Sequence, residues 1–189
     1  MKKGLLLALA ILCCASLVFA QSPGSVAVYA DADGASCEFS AIGGNFLQLY
    51  YFQAGSPGAT AVEFVSTIAS AASLNFFGDN SPWTLKQGNF DAGCSIAYGG
   101  CQSGDIYLGS SAYAVLATPA DCTVFYVTGH PVPSIEGSTS PIMVDCGDPS
   151  SLVELNGSFG VLNPNGECPC PGTIPNEESS WGQIKSLYQ

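Results

Sequence analysis

The chain has 189 residues, 47% hydrophobic and only 10% charged, with fifteen acids against four lysines and no arginine. A formal net charge of −11 argues against nucleic acid or anionic lipid as partner, because neutralising phosphates needs clustered Lys or Arg. The absent arginines also remove bidentate clamps from any proposed chemistry.

The N-terminus reads as a signal peptide over residues 1–20. Lys2 and Lys3 form a charged start, residues 4–19 an apolar run, and Val18-Phe19-Ala20 a small-residue cleavage site before Gln21. The run is too short and wrongly flanked for a stable transmembrane span. Cys13 and Cys14 lack the preceding sequence that lipid attachment needs, so both read as apolar residues of this segment. The expectation is a secreted or extracytoplasmic chain, at the cell surface or in the periplasm, without a span after cleavage. Lys86 and Lys185 are then its only basic residues.

Seven cysteines follow the cleavage site: Cys37, Cys94, Cys101, Cys122, Cys146, Cys168 and Cys170. Export makes disulfides the default, and zinc lacks paired C-x-x-C spacing and has only one histidine available. Seven is odd, so one thiol is free, capped or joined to another molecule.

Short apolar and β-branched runs recur between Gly, Pro, Asn, Asp and Ser clusters, the pattern of an all-β sandwich or barrel. Residues 25–30 alternate cleanly and form the first predicted strand. Residues 45–53 form an aromatic-rich central strand, ended by Gly55-Ser56-Pro57-Gly58. Residues 59–68 follow. Alanines and Glu63 suit a helix there, but Val62, Phe64, Val65, Thr67 and Ile68 favour a strand. Residues 72–77 are a further strand, and a loop over 78–89 separates two halves. In the second half, 94–98, 105–116, 123–128 and 142–146 are predicted strands, with Gly99-Gly100 and Pro119-Ala120-Asp121 as breaks.

After Gly147 the character changes to turn chemistry, as in Asn163-Pro164-Asn165-Gly166 and Pro169-Cys170-Pro171-Gly172. The expected organisation is a sandwich over 21–147, an irregular Pro/Gly-rich tail over 148–178, and a short amphipathic helix over 179–189. Ser180 and Gln183 form its capping box, and Trp181, Ile184, Leu187 and Tyr188 share one face. So short a helix cannot stand alone in water. Docking on the domain, docking on a partner and disorder remain open.

The early strand SVAVYAD, the Cys-bearing loop at Cys37, the long alternating strands and the closing Val144-Asp145-Cys146 resemble small immunoglobulin-like or cohesin-like β-sandwiches of exported bacterial proteins. The resemblance implies an antiparallel sandwich used for adhesion, assembly or ligand display, and carries over no catalytic residue. It also implies a disulfide. In cohesin-like topologies the first and last strands run parallel, which would bring Cys37 and Cys146 to one pole. Cys101 with Cys122 is the expected second pair, leaving Cys94, Cys168 and Cys170.

Candidate chemistry is sparse. His130, the only histidine, sits in a Gly129-His130-Pro131 turn and reads as a surface residue rather than a catalytic base. Asp31 and Asp33 stand two apart before Gly34, the opening of a calcium loop, although a strand-ending Asx turn uses the same letters. Trp83, with Phe76 and Phe77, could form an aromatic platform for a sugar. No cofactor other than calcium is indicated. Two functions follow as expectations: a non-catalytic structural or protein-interaction module, or a carbohydrate-binding module built around Trp83. Contacts with a protein partner would involve Trp181, Ile184, Leu187 and Tyr188, or an intermolecular disulfide through the odd cysteine.

Overall fold

The computed structural model describes residues 24–69, 71–166, 168 and 170, so the expected signal peptide over 1–20 and the expected helix over 179–189 lie outside the described residues. In chain order the strands are β1 (Ser25–Tyr29), β2 (Glu38–Phe39), β3 (Phe46–Ile68), β4 (Leu74–Asn80), β5 (Leu85–Asn89) and β6 (Gly93–Val115). They continue with β7 (Thr123–Thr128), β8 (Ile142–Asp145), β9 (Leu152–Glu154), β10 (Asn156–Gly157) and β11 (Phe159–Leu162).

Two strands of 23 residues each, β3 and β6, organise everything else. They pair antiparallel from Phe46↔Ala114 to Phe64↔Cys94. Alternation sends Leu47, Leu49 and Tyr51 of β3 and Ile106, Leu108 and Tyr113 of β6 into the core. The turn signals at 55–58 and 99–100, read as strand ends, prove to be bulges inside continuous strands. The register shifts between Gln53 and Ser56, Ser56 and Ala59, and Ala59 and Ala61. Gly55, Gly58, Gly99 and Gly104 take positive φ there, so extra residues loop out while pairing resumes beyond them. Inside the bulge Gln53 is fully buried but satisfied: the Tyr98 hydroxyl donates to its Oε1 at 2.6 Å, and its Nε2 donates to Ser56 Oγ at 3.1 Å.

Shorter strands flank this ribbon end to end. Along one edge of β3, β1 faces residues 50–54 and β8 faces residues 59–63. Along the far edge of β6, β4 and β5 do the same, so the expected loop over 78–89 shrinks to the four residues between them. At Val65, β3 leaves this sheet and pairs with β7, which leads through β11 to β2 in a second sheet. The core lies between the two sheets, with Leu49, Tyr51, Phe64, Ile96 and Tyr113 against Phe39, Phe125 and Leu162. Its rings touch, as in Tyr51–Phe90 at 4.7 Å and Tyr113–Phe125 at 5.5 Å between centroids. Each such side chain contributes roughly 1.5–3 kcal/mol by burial.

The sandwich extends past the expected boundary at residue 147. β9 pairs with β8, β10 runs parallel to β1, and β11 fills the second sheet. Its glycines looked like turn chemistry but serve close packing. A Cβ on Gly157 would strike the Val127 carbonyl, and one on Gly160 would strike the Phe39 ring.

The expected disulfides are both corrected. The bonds are Cys37–Cys170, Cys101–Cys146 and Cys122–Cys168, with Cα separations of 5.9, 5.7 and 5.8 Å. The parallel partner of β1 is β10, not β8. Asp145 faces Ala59 while Ser25 faces Ala54, so Cys146 lies near the start of β1 and Cys37 beyond its other end. Cys101 meets Cys146 across β3, above Gly58, where a Cβ would lie 3.3 Å from Cys146 Sγ and 3.4 Å from Cys101 Sγ. Among the described residues the free thiol is Cys94, which is wholly buried. Burial pushes it up to about 12, so it is neither a ready nucleophile nor an exposed link to another molecule.

Candidate binding groove

At one end of the first sheet, five strands lie side by side in the order β5, β6, β3, β8, β9. Directly opposed residues form one row across all five: Leu85↔Ala97, Ala97↔Ala61, Ala61↔Val144 and Val144↔Leu152. Small side chains in the middle and leucines at both ends make a trough on the outer face, with a volume of about 500 Å³. The rims are open, Leu85 being 64% and Leu152 45% exposed. Four strand spacings give the row a width of about 19 Å. The neighbouring row is more polar, running from Gln87 through Ser95 to Glu63.

The two charged residues of the lining, Glu63 and Lys86, both have partners. The Glu63 carboxylate accepts the Ser134 N–H at 2.6 Å and its hydroxyl at 2.8 Å, which ties the loop before β8 to one end of the groove. Lys86 Nζ lies 2.9 Å from the Asp79 carboxylate, donates to the Gly88 carbonyl at 2.8 Å, and sits 5.2 Å from the Phe90 ring centroid. Most of the lining is apolar, from Ala61, Val62, Leu85, Ile96, Ala97, Ile142, Val144 and Leu152, which makes it a packing surface.

The other sequence-predicted residues are dispersed. Asp31 spends its carboxylate on the N–H groups of Asp33, Ala35 and Ser36 at 3.0, 2.9 and 2.8 Å, an Asx-type turn. No group of three His, Cys, Asp or Glu residues suited to a metal occurs among the described residues. Trp83 is half-buried, its Nε1 donating to the Tyr107 carbonyl at 2.9 Å and its ring 4.7 Å from that of Tyr98. Phe76 instead packs on Tyr113 at 5.5 Å, and Phe77 points outward against Phe46. The three aromatics therefore form no common platform, because each sits over a different part of β6 or β3. His130 lies against Gly93, with Nδ1 accepting the Val132 N–H at 3.1 Å. Cys37, Cys101, Cys122 and Cys146 are structural crosslinks. Trp181, Ile184, Leu187 and Tyr188 lie outside the described residues. The trough row was missed because Leu85 and Leu152 fell in segments read as loop and tail. Alternation in 59–68 was the one available signal.

No family model matches the chain, and no curated protein does. Among solved structures it is similar to a cohesin module of a family 33 glycoside hydrolase from Clostridium perfringens ATCC13124. That match has a TM-score of 0.50 at 9% identity, over 76% of this chain and 99% of the other. A type II cohesin domain from the cellulosome of Acetivibrio cellulolyticus superposes with a TM-score of 0.49 at 10% identity, over 76% and 95%. The fold of this chain is thus a cohesin-like β-sandwich.

Proposed function

We propose that the chain is an exported, non-catalytic protein-interaction module that takes its partner in the trough on the outer face. The row Leu85–Ala97–Ala61–Val144–Leu152 carries this reading. A flat sheet face with small residues at its centre and leucines at its rims accepts an apolar ridge from a partner, as helix-in-groove recognition requires. The formal charge of −11 favours a partner segment with basic residues flanking that ridge. Export rests on the signal-like residues 1–20 and on three disulfides, which persist in oxidising compartments.

Rim leucines are exposed, so changing them leaves the core intact. The test isolates a partner from the native secretome and measures its affinity for wild type and for the Leu85→Asp/Leu152→Asp variant by calorimetry. A groove contact predicts at least about thirtyfold weaker binding, the size of a typical hot-spot loss. Equal affinity for both would place the interaction elsewhere.

A further inference from the structure

A second exposed apolar cluster lies at the opposite end of the β3–β6 ribbon. Phe46 opens β3 and is 67% exposed, Phe77 of β4 is 71% exposed, and Leu116, just past β6, is 67% exposed. Ile42, in the turn entering β3, is 62% exposed. The Phe46 and Phe77 rings meet edge to face, 5.3 Å between centroids, on the solvent side of the sheet. Phe46 faces Ala114, and Leu116 lies two residues on, hence on the same face. Scattered exposed hydrophobics are ordinary, but an edge-to-face aromatic pair with two further exposed apolar side chains at the same pole marks a contact surface.

The chain leaves the described structure beside this cluster. The carbonyls of Cys37 and Phe39 accept the N–H groups of Val161 and Asn163 at 2.9 and 2.7 Å. The Asn163 side chain then clasps Ala41, accepting its N–H at 2.8 Å and donating to its carbonyl at 3.1 Å. Ile42 is the next residue. Cys122–Cys168 and Cys37–Cys170 fasten the outgoing segment here twice, so residues after Cys170 start from a fixed point at this pole.

The sequence beyond Cys170 carries Trp181, Ile184, Leu187 and Tyr188 at helical spacing, with residues 171–180 as spacer. Ten residues with the span of a random coil would reach about 17 Å and give an effective concentration in the millimolar range. Weak intrinsic affinity is therefore enough to hold the segment on a nearby surface. We infer that residues 181–188 dock their apolar face on the Phe46–Phe77–Leu116 cluster of the same chain. The two tail disulfides serve to hold this segment in reach.

The scarcity of basic residues supplies a direct assay. Past residue 20, trypsin has only Lys86 and Lys185 to cut after. Lys86 is held in β5 by Asp79 and the Gly88 carbonyl. Cleavage after Lys185 in the intact, oxidised chain is followed by mass spectrometry. It should be about tenfold slower than in the Phe46→Ser/Phe77→Ser variant, as expected for a site cut only after local opening. A Trp181→Ser variant, which leaves the described domain untouched, should speed cleavage similarly. Equal rates in wild type and both variants overturn the inference. Protection that disappears on dilution, together with a dimer in sedimentation, also overturns it and assigns the surface to a second copy.

Discussion

The β3–β6 ribbon and the short strands β2, β9, β10 and β11 are built on opposite principles. The ribbon pairs over most of two 23-residue strands and buries its aromatic rows. The short strands have two to four residues, each adding only a few ladder bonds. Crosslinks follow this difference. Two disulfides fasten the tail to the second sheet, where strands are short. The third crosses the ribbon at its bulge, where the ladder loses register. Covalent bonds stand where hydrogen bonding is interrupted, and are absent where long strands pair in register.

The strongest way to break this comparison is to remove one crosslink from each region. Cys101–Cys146 and Cys122–Cys168 close loops with nearly equal separations, 45 and 46 residues. Chain entropy then predicts the same global loss for either serine pair, about 4 kcal/mol by guanidinium denaturation. Native-state hydrogen exchange should separate them. Loss of Cys122–Cys168 frees the amides of β2 and β11 ahead of global unfolding, whereas loss of Cys101–Cys146 frees those around residues 56–59. Identical exchange maps for the two variants would end the distinction.

A smaller effect sharpens the account of the bulge. Gly58 has φ of 151° and lies beneath the Cys101–Cys146 sulfurs. Gly58→Ala should cost about 1–2 kcal/mol, from backbone strain and from contact with both Sγ atoms. In the Cys101→Ser/Cys146→Ser background the cost should fall, because part of the contact is gone. A strictly additive cycle would show that the disulfide and the glycine do not depend on each other.

The smallest effect concerns Asp145, beside Cys146. The Ser151 hydroxyl, followed by the Ser151 and Gly147 N–H groups, holds its carboxyl below the usual 3.8. A depressed folded value means the contribution is present above pH 3.8 and lost as pH falls through the folded value. Carbon-detected NMR titration should give a midpoint below 3.8, moving upward in Ser151→Ala. An unmoved midpoint would remove Ser151 as the cause.

Much of the strand content was legible. The predicted strand over 123–128 matches β7, and 25–30 and 142–146 match β1 and β8 to within one residue. Each is a short alternating run whose neighbours are unambiguous turns. Gly55, Gly58 and Gly99 were misread because positive φ serves a bulge as well as a turn. Leu152, Val153, Leu155, Val161 and Leu162 were hidden among Asn, Gly and Pro, although Leu155, Val161 and Leu162 are buried. The trough was not legible, since its row draws single residues from five strands far apart in sequence.

From the sequence alone come an all-β chain and its acidic balance. These depend on composition and local alternation, which need no knowledge of neighbours. Tertiary structure decided which glycines bend a strand rather than end it, which cysteines meet, and which side chains share an outer face. All three depend on register between distant strands. A register shift by one residue turns a strand's side chains to the other face, so no local pattern could have supplied them.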